Sequence, residues 1–380
     1  MAGRIFRAAA IGDTGHFDKA GRYLGFAGGH GLHLPYQHLP QVEMVAVADA
    51  DPKAREEGRI AAGAARAYAD YREMLEKERP DIVSICSRHA ERHEAVISAA
   101  AEAGVHIYVD KPMAPDLESA DRMISACERR GVRLGVAHQS RYVEPFLTAK
   151  RMLDAGEIGT LLSMIGRGKE DHRGGGEDLM CCGVHTLDAM RFFAGDPLWV
   201  QGSCTVGGRP MARQAAYEGK DCNGPVGGDS VWGMFGFAGG VIGHAVSVRN
   251  QHLHGDRWGL TLIGTRGVLS LRYGDFERRT TLKISKAPCV PEEAVLEHVE
   301  APFEPVVPGS EELGSVHMPT RGNRLAVWDI LTSEQPRSSG HDGRWTIEMV
   351  HGIYASHLTG RRLTFPLADR RHPLAFGCEY

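Results

Sequence analysis

A glycine-rich stretch near the start of the chain is the first place where residue types suggest chemistry. Ile11-Gly12-Asp13-Thr14-Gly15 ends an apolar run from Phe6 to Ile11, and glycines recur at 21, 25, 28, 29 and 31. Glycine lets a backbone turn tightly at a strand end and approach a pyrophosphate. The spacing is irregular, because Thr14 and Phe17 stand where a G-x-G-x-x-G would have its second and third glycines. A second apolar run, Met44 to Ala48, closes on Asp49. That carboxylate lies 18 residues beyond Gly31, close to the spacing of about 20 expected for the group that binds ribose hydroxyls. Counted from Gly12 the interval is too long, so the loop carries an insertion. Gly12, Thr14, Gly15 and Asp49 are the expected dinucleotide contacts. A carboxylate at 49, followed by Ala50 rather than Arg, repels a 2′-phosphate and favours NAD over NADP. Asp49 also reads as a helix N-cap before Pro52, a role Asp51 fills better.

The elements that would position these residues alternate. Apolar runs at Phe6–Ile11, Met44–Ala48, Asp81–Cys86, Val105–Val109 and Val132–Ala137 suit strands buried on both faces of a parallel sheet. Helical stretches are expected at about 32–38, 51–63, 70–77, 91–103 and 116–130, with Gly104 and Gly131 as C-terminal caps. This is the pattern of an N-terminal Rossmann domain, a doubly wound parallel sheet, over residues 1–141. After it come a helix at 144–155, a strand at 161–166 and a helix at 180–194. Strand pairs follow at 231–237/241–248 and 258–263/268–273, joined by Ala238-Gly239-Gly240 and Gly264-Thr265-Arg266-Gly267. The segment 287–315 reads as surface loop, and two helices, about 320–333 and 344–359, close the chain. Residues 142–380 are therefore expected to form an α+β domain with an open, mostly antiparallel sheet.

The bulk composition excludes several function classes. The 380 residues carry a formal net charge of -4, which argues against a nucleic-acid partner. No window approaches the ~18 consecutive apolar residues of a membrane span, and the N-terminus lacks a signal-peptide pattern. The cysteines at 86, 127, 181, 182, 204, 222, 289 and 378 form no C-x-x-C pair, so a structural zinc is not expected and a reducing cytoplasm is the simplest setting. The stretch 167–178 mixes charge with glycine. Lys169, His172 and Arg173 are candidate contacts for substrate hydroxyls there, with a merely solvated loop as the alternative. Nothing in its spacing selects a metal.

Several segments together resemble the Gfo/Idh/MocA oxidoreductase family. Ala103-Gly104-Val105-His106-Ile107-Tyr108-Val109-Asp110-Lys111-Pro112 is similar to the family's A-G-K-H-V-x-x-E-K-P, with Asp110 in place of Glu. Asp81-Ile82-Val83-Ser84-Ile85-Cys86 with His93, His138-Gln139-Ser140-Arg141-Tyr142 and Gly183-Val184-His185-Thr186-Leu187-Asp188 resemble three further motifs. So do Trp258-Gly259-Leu260 through Gly267, and Ser339-Gly340-His341-Asp342-Gly343-Arg344. The resemblance implies a homodimer or homotetramer, and cofactor contacts that include Ser87, His93 and Lys111.

Hydride leaves a carbinol carbon only as its hydroxyl proton is removed, so a base must stand within reach of that oxygen. The resemblance puts His185 in the catalytic histidine position. It puts Lys111 where an ammonium hydrogen-bonds the reacting oxygen and stabilises developing negative charge. It leaves Arg141 beside substrate or cofactor. Family members with a catalytic Asp carry it four residues before the histidine, where this chain has Cys181. Asp188, three residues on, and Asp178, seven back, are the carboxylates that could substitute. The expected activity is NAD-dependent oxidation of a secondary hydroxyl on a sugar, cyclitol or sugar derivative. A glycosidase, lyase or epimerase with internal redox, and a non-catalytic dinucleotide sensor, are the alternatives.

Overall fold

The computed structural model describes residues 4–13, 15–17, 23–26, 31–34, 36–87, 89–219, 224–250, 257–274, 280–286, 296–315 and 318–375. The chain divides into two compact units, 1–142 with 303–344, and 143–302 with 345–380. The sequence reading assigned everything after 141 to the second domain. The structure instead returns 303–344 to the first unit, because the Met318–Thr332 helix carries a face that packs on its sheet. Val327 and Ile330 are fully buried there, and the Asn323 side chain accepts a 2.7 Å hydrogen bond from the Tyr108 hydroxyl.

Among the described residues the first unit holds eight strands: β1 (Phe6–Ile11), β2 (Gly15–Phe17), β3 (Tyr23–Phe26), β4 (Val42–Ala48), β5 (Arg66–Tyr68), β6 (Ile82–Ile85), β7 (His106–Val109) and β8 (Leu134–Val136). Six of them form a parallel sheet in the order β5-β4-β1-β6-β7-β8. This is the doubly wound order, with the crevice for a ligand beyond the carboxyl ends of β1 and its neighbours. All four residues of β6 are buried, as covering on both faces requires. Each fully buried Ile or Val here contributes about 1.5–3 kcal/mol. The helices start where their caps dictate. Asp51, Asp70 and Asp116 accept hydrogen bonds from the backbone N–H of Ala54, Arg72 and Ser119, and Gly63 closes the first helix at φ 67°.

Two local expectations change. The insertion between β1 and β4 contains a small hairpin, β2 with β3. In place of the helix expected at 32–38, the described residues 32–34 and 36–38 form turns and a bend. Pro35 and Pro40 punctuate that sequence, and His38 adopts the left-handed φ of 63°, incompatible with a continuing helix.

The second unit is built on a ten-stranded sheet. Its strands are β9 (Leu161–Arg167), β10 (Trp199–Val206), β11 (Arg209–Pro210), then β14 (Ser230–Gly236), β15 (Ile242–Val248), β16 (Gly259–Gly264), β17 (Val268–Arg272), β18 (Thr281–Ser285), β19 (Glu297–His298) and β20 (Leu363–Thr364). The pair β12 (Tyr217–Glu218) and β13 (Pro225–Val226) stands apart. Among the described residues, only β9 and β15 pair in parallel within this sheet. The Val184–Ala194 helix covers one face near β9 and β15, and the later part of the Gly340–Thr359 helix covers β10 and β14. That second contact requires glycine: a Cβ on Gly202 would lie 2.0 Å from the Ile353 carbonyl oxygen. Ile165 and Trp232 are exposed on the other face.

Candidate active site

In the first unit the carboxyl ends of the central strands gather the expected cofactor residues on one edge. Gly12 follows β1, and its N–H donates to the Ala48 carbonyl at 2.8 Å. Asp49 follows β4 and is 2% exposed; its Oδ1 accepts the Asp51 N–H at 2.9 Å. Arg55 donates to the Asp49 carbonyl at 2.9 Å, so this cation is directed at backbone oxygen. Gly15 lies in β2, where only the backbone is described, and Thr14 lies outside the described residues. Lys111 follows β7 and is 5% exposed. Its N–H donates to the Asp110 carboxylate at 2.8 Å, and its bond to Pro112 is cis.

Ser87 and His93 turn out to organise this edge with their side chains. The Ser87 hydroxyl donates to Asp13 Oδ2 at 2.8 Å and accepts from the His89 N–H at 3.0 Å. His93 is completely buried, with its ring nitrogens 2.9 Å from the Met113 carbonyl and 2.7 Å from the Ser87 carbonyl. Its expected place at the cofactor is therefore corrected: the ring ties the turn after β6 to the segment after Pro112. Sequence reasoning missed Asp13, which pairs with Arg92 and has His89 Nδ1 at 3.0 Å. Its position inside the glycine-rich motif was the available signal. Arg141 is also corrected. Its guanidinium donates to the Arg337 carbonyl at 2.9 Å and pairs with Asp342 at 3.1 Å, which fastens the 139–142 turn to the N-terminus of the Gly340–Thr359 helix.

In the second unit His185 stands in the first turn of the Val184–Ala194 helix, 6% exposed. Its ring lies 6.4 Å from the Trp258 ring at 64° and 6.2 Å from the Tyr273 ring at 51°. Tyr273 donates its hydroxyl to the His185 carbonyl at 3.2 Å and stacks on Phe146 at 5.3 Å. An aromatic wall thus fixes the approach of the imidazole. The preceding Leu179–Gly183 turn is π-helical; such turns insert a residue into a helix and often occur at functional sites.

Asp178 is fully buried and accepts three hydrogen bonds, from the backbone N–H of Lys169 (3.2 Å) and Glu170 (3.1 Å) and from the Ser247 hydroxyl (2.6 Å). This corrects its proposed catalytic part: the carboxylate folds the loop after β9. A Cβ at Gly168 would fall 2.0 Å from Asp178 Oδ2, so glycine is required there. Asp188 is also fully buried. Glu170, held at φ 58°, takes two hydrogen bonds from Arg167 at 2.9 and 3.0 Å. Arg173 grips Asp171 through Nε (3.2 Å) and Nη2 (2.8 Å) and points Nη1 at Cys181 Sγ, 3.7 Å away. Burial pushes the Asp171 carboxyl up, but Arg173 outweighs it and holds the group at about 2. The Lys169 ammonium lies 4.9 Å from the centre of the Trp258 ring. His172 has a side chain 76% exposed, with only a 3.9 Å approach to Asp171. Among the described residues no three His, Cys, Asp or Glu side chains are grouped to hold a metal, and no helix is long and apolar enough to cross a membrane.

The residues at the sheet edge fit NAD: a buried carboxylate where ribose hydroxyls are accepted, a glycine at the turn after β1, and a lysine after β7. Family comparison agrees with this reading. Residues 24–138 match the oxidoreductase family with an NAD-binding Rossmann fold, and 146–270 match the GFO/IDH/MocA C-terminal domain. The chain belongs to the Gfo/Idh/MocA oxidoreductase family. Among its relatives, D-apiose dehydrogenase of Paraburkholderia graminis is 34% identical over 185 residues, which span 45% of this chain and 48% of the relative. Levoglucosan dehydrogenase of Pseudarthrobacter phenanthrenivorans is 26% identical over 265 residues, 63% of this chain and 67% of the relative. The match thus spans about half of the first relative's length. A solved levoglucosan dehydrogenase in complex with NADH and levoglucosan shares the fold, with a TM-score of 0.72 at 22% identity, covering 96% of this chain and 100% of that one.

Proposed function

We propose that this protein is an NAD-dependent dehydrogenase that oxidises a secondary hydroxyl on a sugar, cyclitol or sugar derivative. The observation that carries the reading is the strand order, which sets Gly12, Asp49 and Lys111 along one sheet edge. Bound NAD supplies the hydride acceptor. The Lys111 ammonium hydrogen-bonds the reacting oxygen and stabilises charge as it develops. His185 takes the hydroxyl proton, its ring oriented by Trp258 and Tyr273. Asp178 orders the loop that leads into the His185 helix. Asp49 accepts the ribose hydroxyls and disfavours NADP. We further propose that the chain self-associates through the uncovered face of its ten-stranded sheet.

The test is absorbance at 340 nm with NAD and a panel of polyols, cyclitols, aldoses and uronic acids. Wild-type protein raises it with at least one substrate. Lys111→Ala and His185→Ala each lower the rate by about 10²–10⁴, the usual range for a lost acid–base or electrostatic group. Full rates in both variants would overturn the assignment. Product without net NADH, from protein that copurifies with cofactor, would replace it with internal redox.

A further inference from the structure

We propose that the alcohol oxidised here carries a carboxylate, and that the Lys169 ammonium holds that group beside Trp258, next to His185. The proposal rests on the dehydrogenase reading above and names the substrate class for it.

The charges of the loop after β9 are paired in a selective way. Arg167 is engaged by Glu170, and Arg173 by Asp171. Asp178 is sealed by two backbone N–H groups and the Ser247 hydroxyl. Glu177 is buried, and the Tyr217 hydroxyl is raised chiefly by its own burial, with Arg249 opposing and the Glu177 charge adding to the rise. Among the described residues Lys169 has no carboxylate partner, and its ammonium rests on the Trp258 face 4.9 Å from the ring centre. A cation over an indole is held in place by the ring quadrupole yet keeps N–H donors for an incoming oxyanion. The same indole meets the His185 ring. A neutral polyol would gain little from a full positive charge at that place, whereas a carboxylate would gain a charge-assisted hydrogen bond.

The π-helical turn that leads into the His185 helix supports the same sign. There the chain has the Cys181 thiol, with the Arg173 guanidinium 3.7 Å from its sulfur. A carboxylate at 181 would put negative charge in the turn that leads into the His185 helix; a thiol capped by a guanidinium does not. One feature adds positive charge on the indole that meets the candidate base, and the other keeps a carboxylate out of the turn that precedes it.

The experiment compares kcat/KM for D-glucuronate and D-galacturonate with that for D-glucose and D-galactose, using NAD and intact protein. The acids are expected to exceed the neutral sugars at least tenfold, with an advantage that shrinks as salt is raised. Lys169→Gln should bring the acid-to-neutral ratio close to one, mainly through KM for the acids. Lys169→Arg should keep much of the ratio, and Cys181→Asp should lower it. Neutral sugars turned over as well as the acids, or a ratio untouched by Lys169→Gln, would overturn the proposal and leave the dehydrogenase reading standing. A preference for sugar phosphates over both classes would also overturn it. NADH from no member of either class would count against the reading beneath it.

Discussion

Asp178 shows how a side chain's part is decided by partners far away in the sequence. From the sequence it is an acid shortly before a catalytic-type histidine. Its buried carboxylate instead satisfies Lys169 N–H, Glu170 N–H and Ser247, the last 69 residues distant. Asp178→Ala should leave two backbone N–H groups and a hydroxyl unsatisfied, at a cost of roughly 3 kcal/mol or more, since each buried donor left unmade costs about 1–3 kcal/mol. Urea unfolding checks this; a loss below ~1 kcal/mol would show that the loop does not depend on the carboxylate. Lys111 and His185 could be singled out as candidates from the sequence because their motifs are local, and Lys169 because its loop mixes charge with glycine. The employment of Asp178, His93 and Arg141 was not, because Ser247, Met113 and Arg337 are set beside them only by the fold.

Element assignments followed the same rule of locality. The buried parallel strands were readable as apolar runs, and the helix starts as Asp caps. The three-residue edge strand β5 and the β2–β3 hairpin were not, because neither carries an apolar run long enough to signal itself. The π-helical turn at Leu179–Gly183 follows from tertiary constraint, with Asp178 anchored on one side and the helix packed on the sheet on the other. The Tyr71–Glu78 helix offers a pH test. Its last residue, Glu78, is 4% exposed and contacts Arg66, Tyr68 and Arg7. The hydrogen bonds from Arg66 lead in holding its carboxyl at about 2, against an ordinary 4.5. A depressed carboxylate stabilises the fold above its unfolded pKa and stops doing so as pH falls through the folded one. The melting temperature of Glu78→Gln should therefore lie below wild type at pH 7, with the gap narrowing from about pH 4.5 towards pH 2. A gap of constant size across that interval would contradict the ion-pair account.

For the molecule as a whole, the two-part architecture was legible from the switch between alternating and paired-strand patterns. The return of 303–344 to the Rossmann unit was not, because a helical periodicity does not say which sheet it covers. Ile165 and Trp232 stand exposed on a sheet whose other face is covered. Light scattering should give a multiple of the chain mass for wild type and the single-chain mass for Ile165→Glu with Trp232→Glu; a monomeric wild type would refute association through this face. The central claim is that Lys111 and His185 act on the oxygen of a carbinol whose hydride passes to NAD. The direct measurement uses a substrate deuterated at its carbinol carbons and follows the label by NMR. The account predicts deuterium at C4 of the nicotinamide with wild-type protein, and transfer at least ~100-fold slower in both Lys111→Ala and His185→Ala. Label lost to solvent, or transfer at wild-type rates in the two variants, would contradict it.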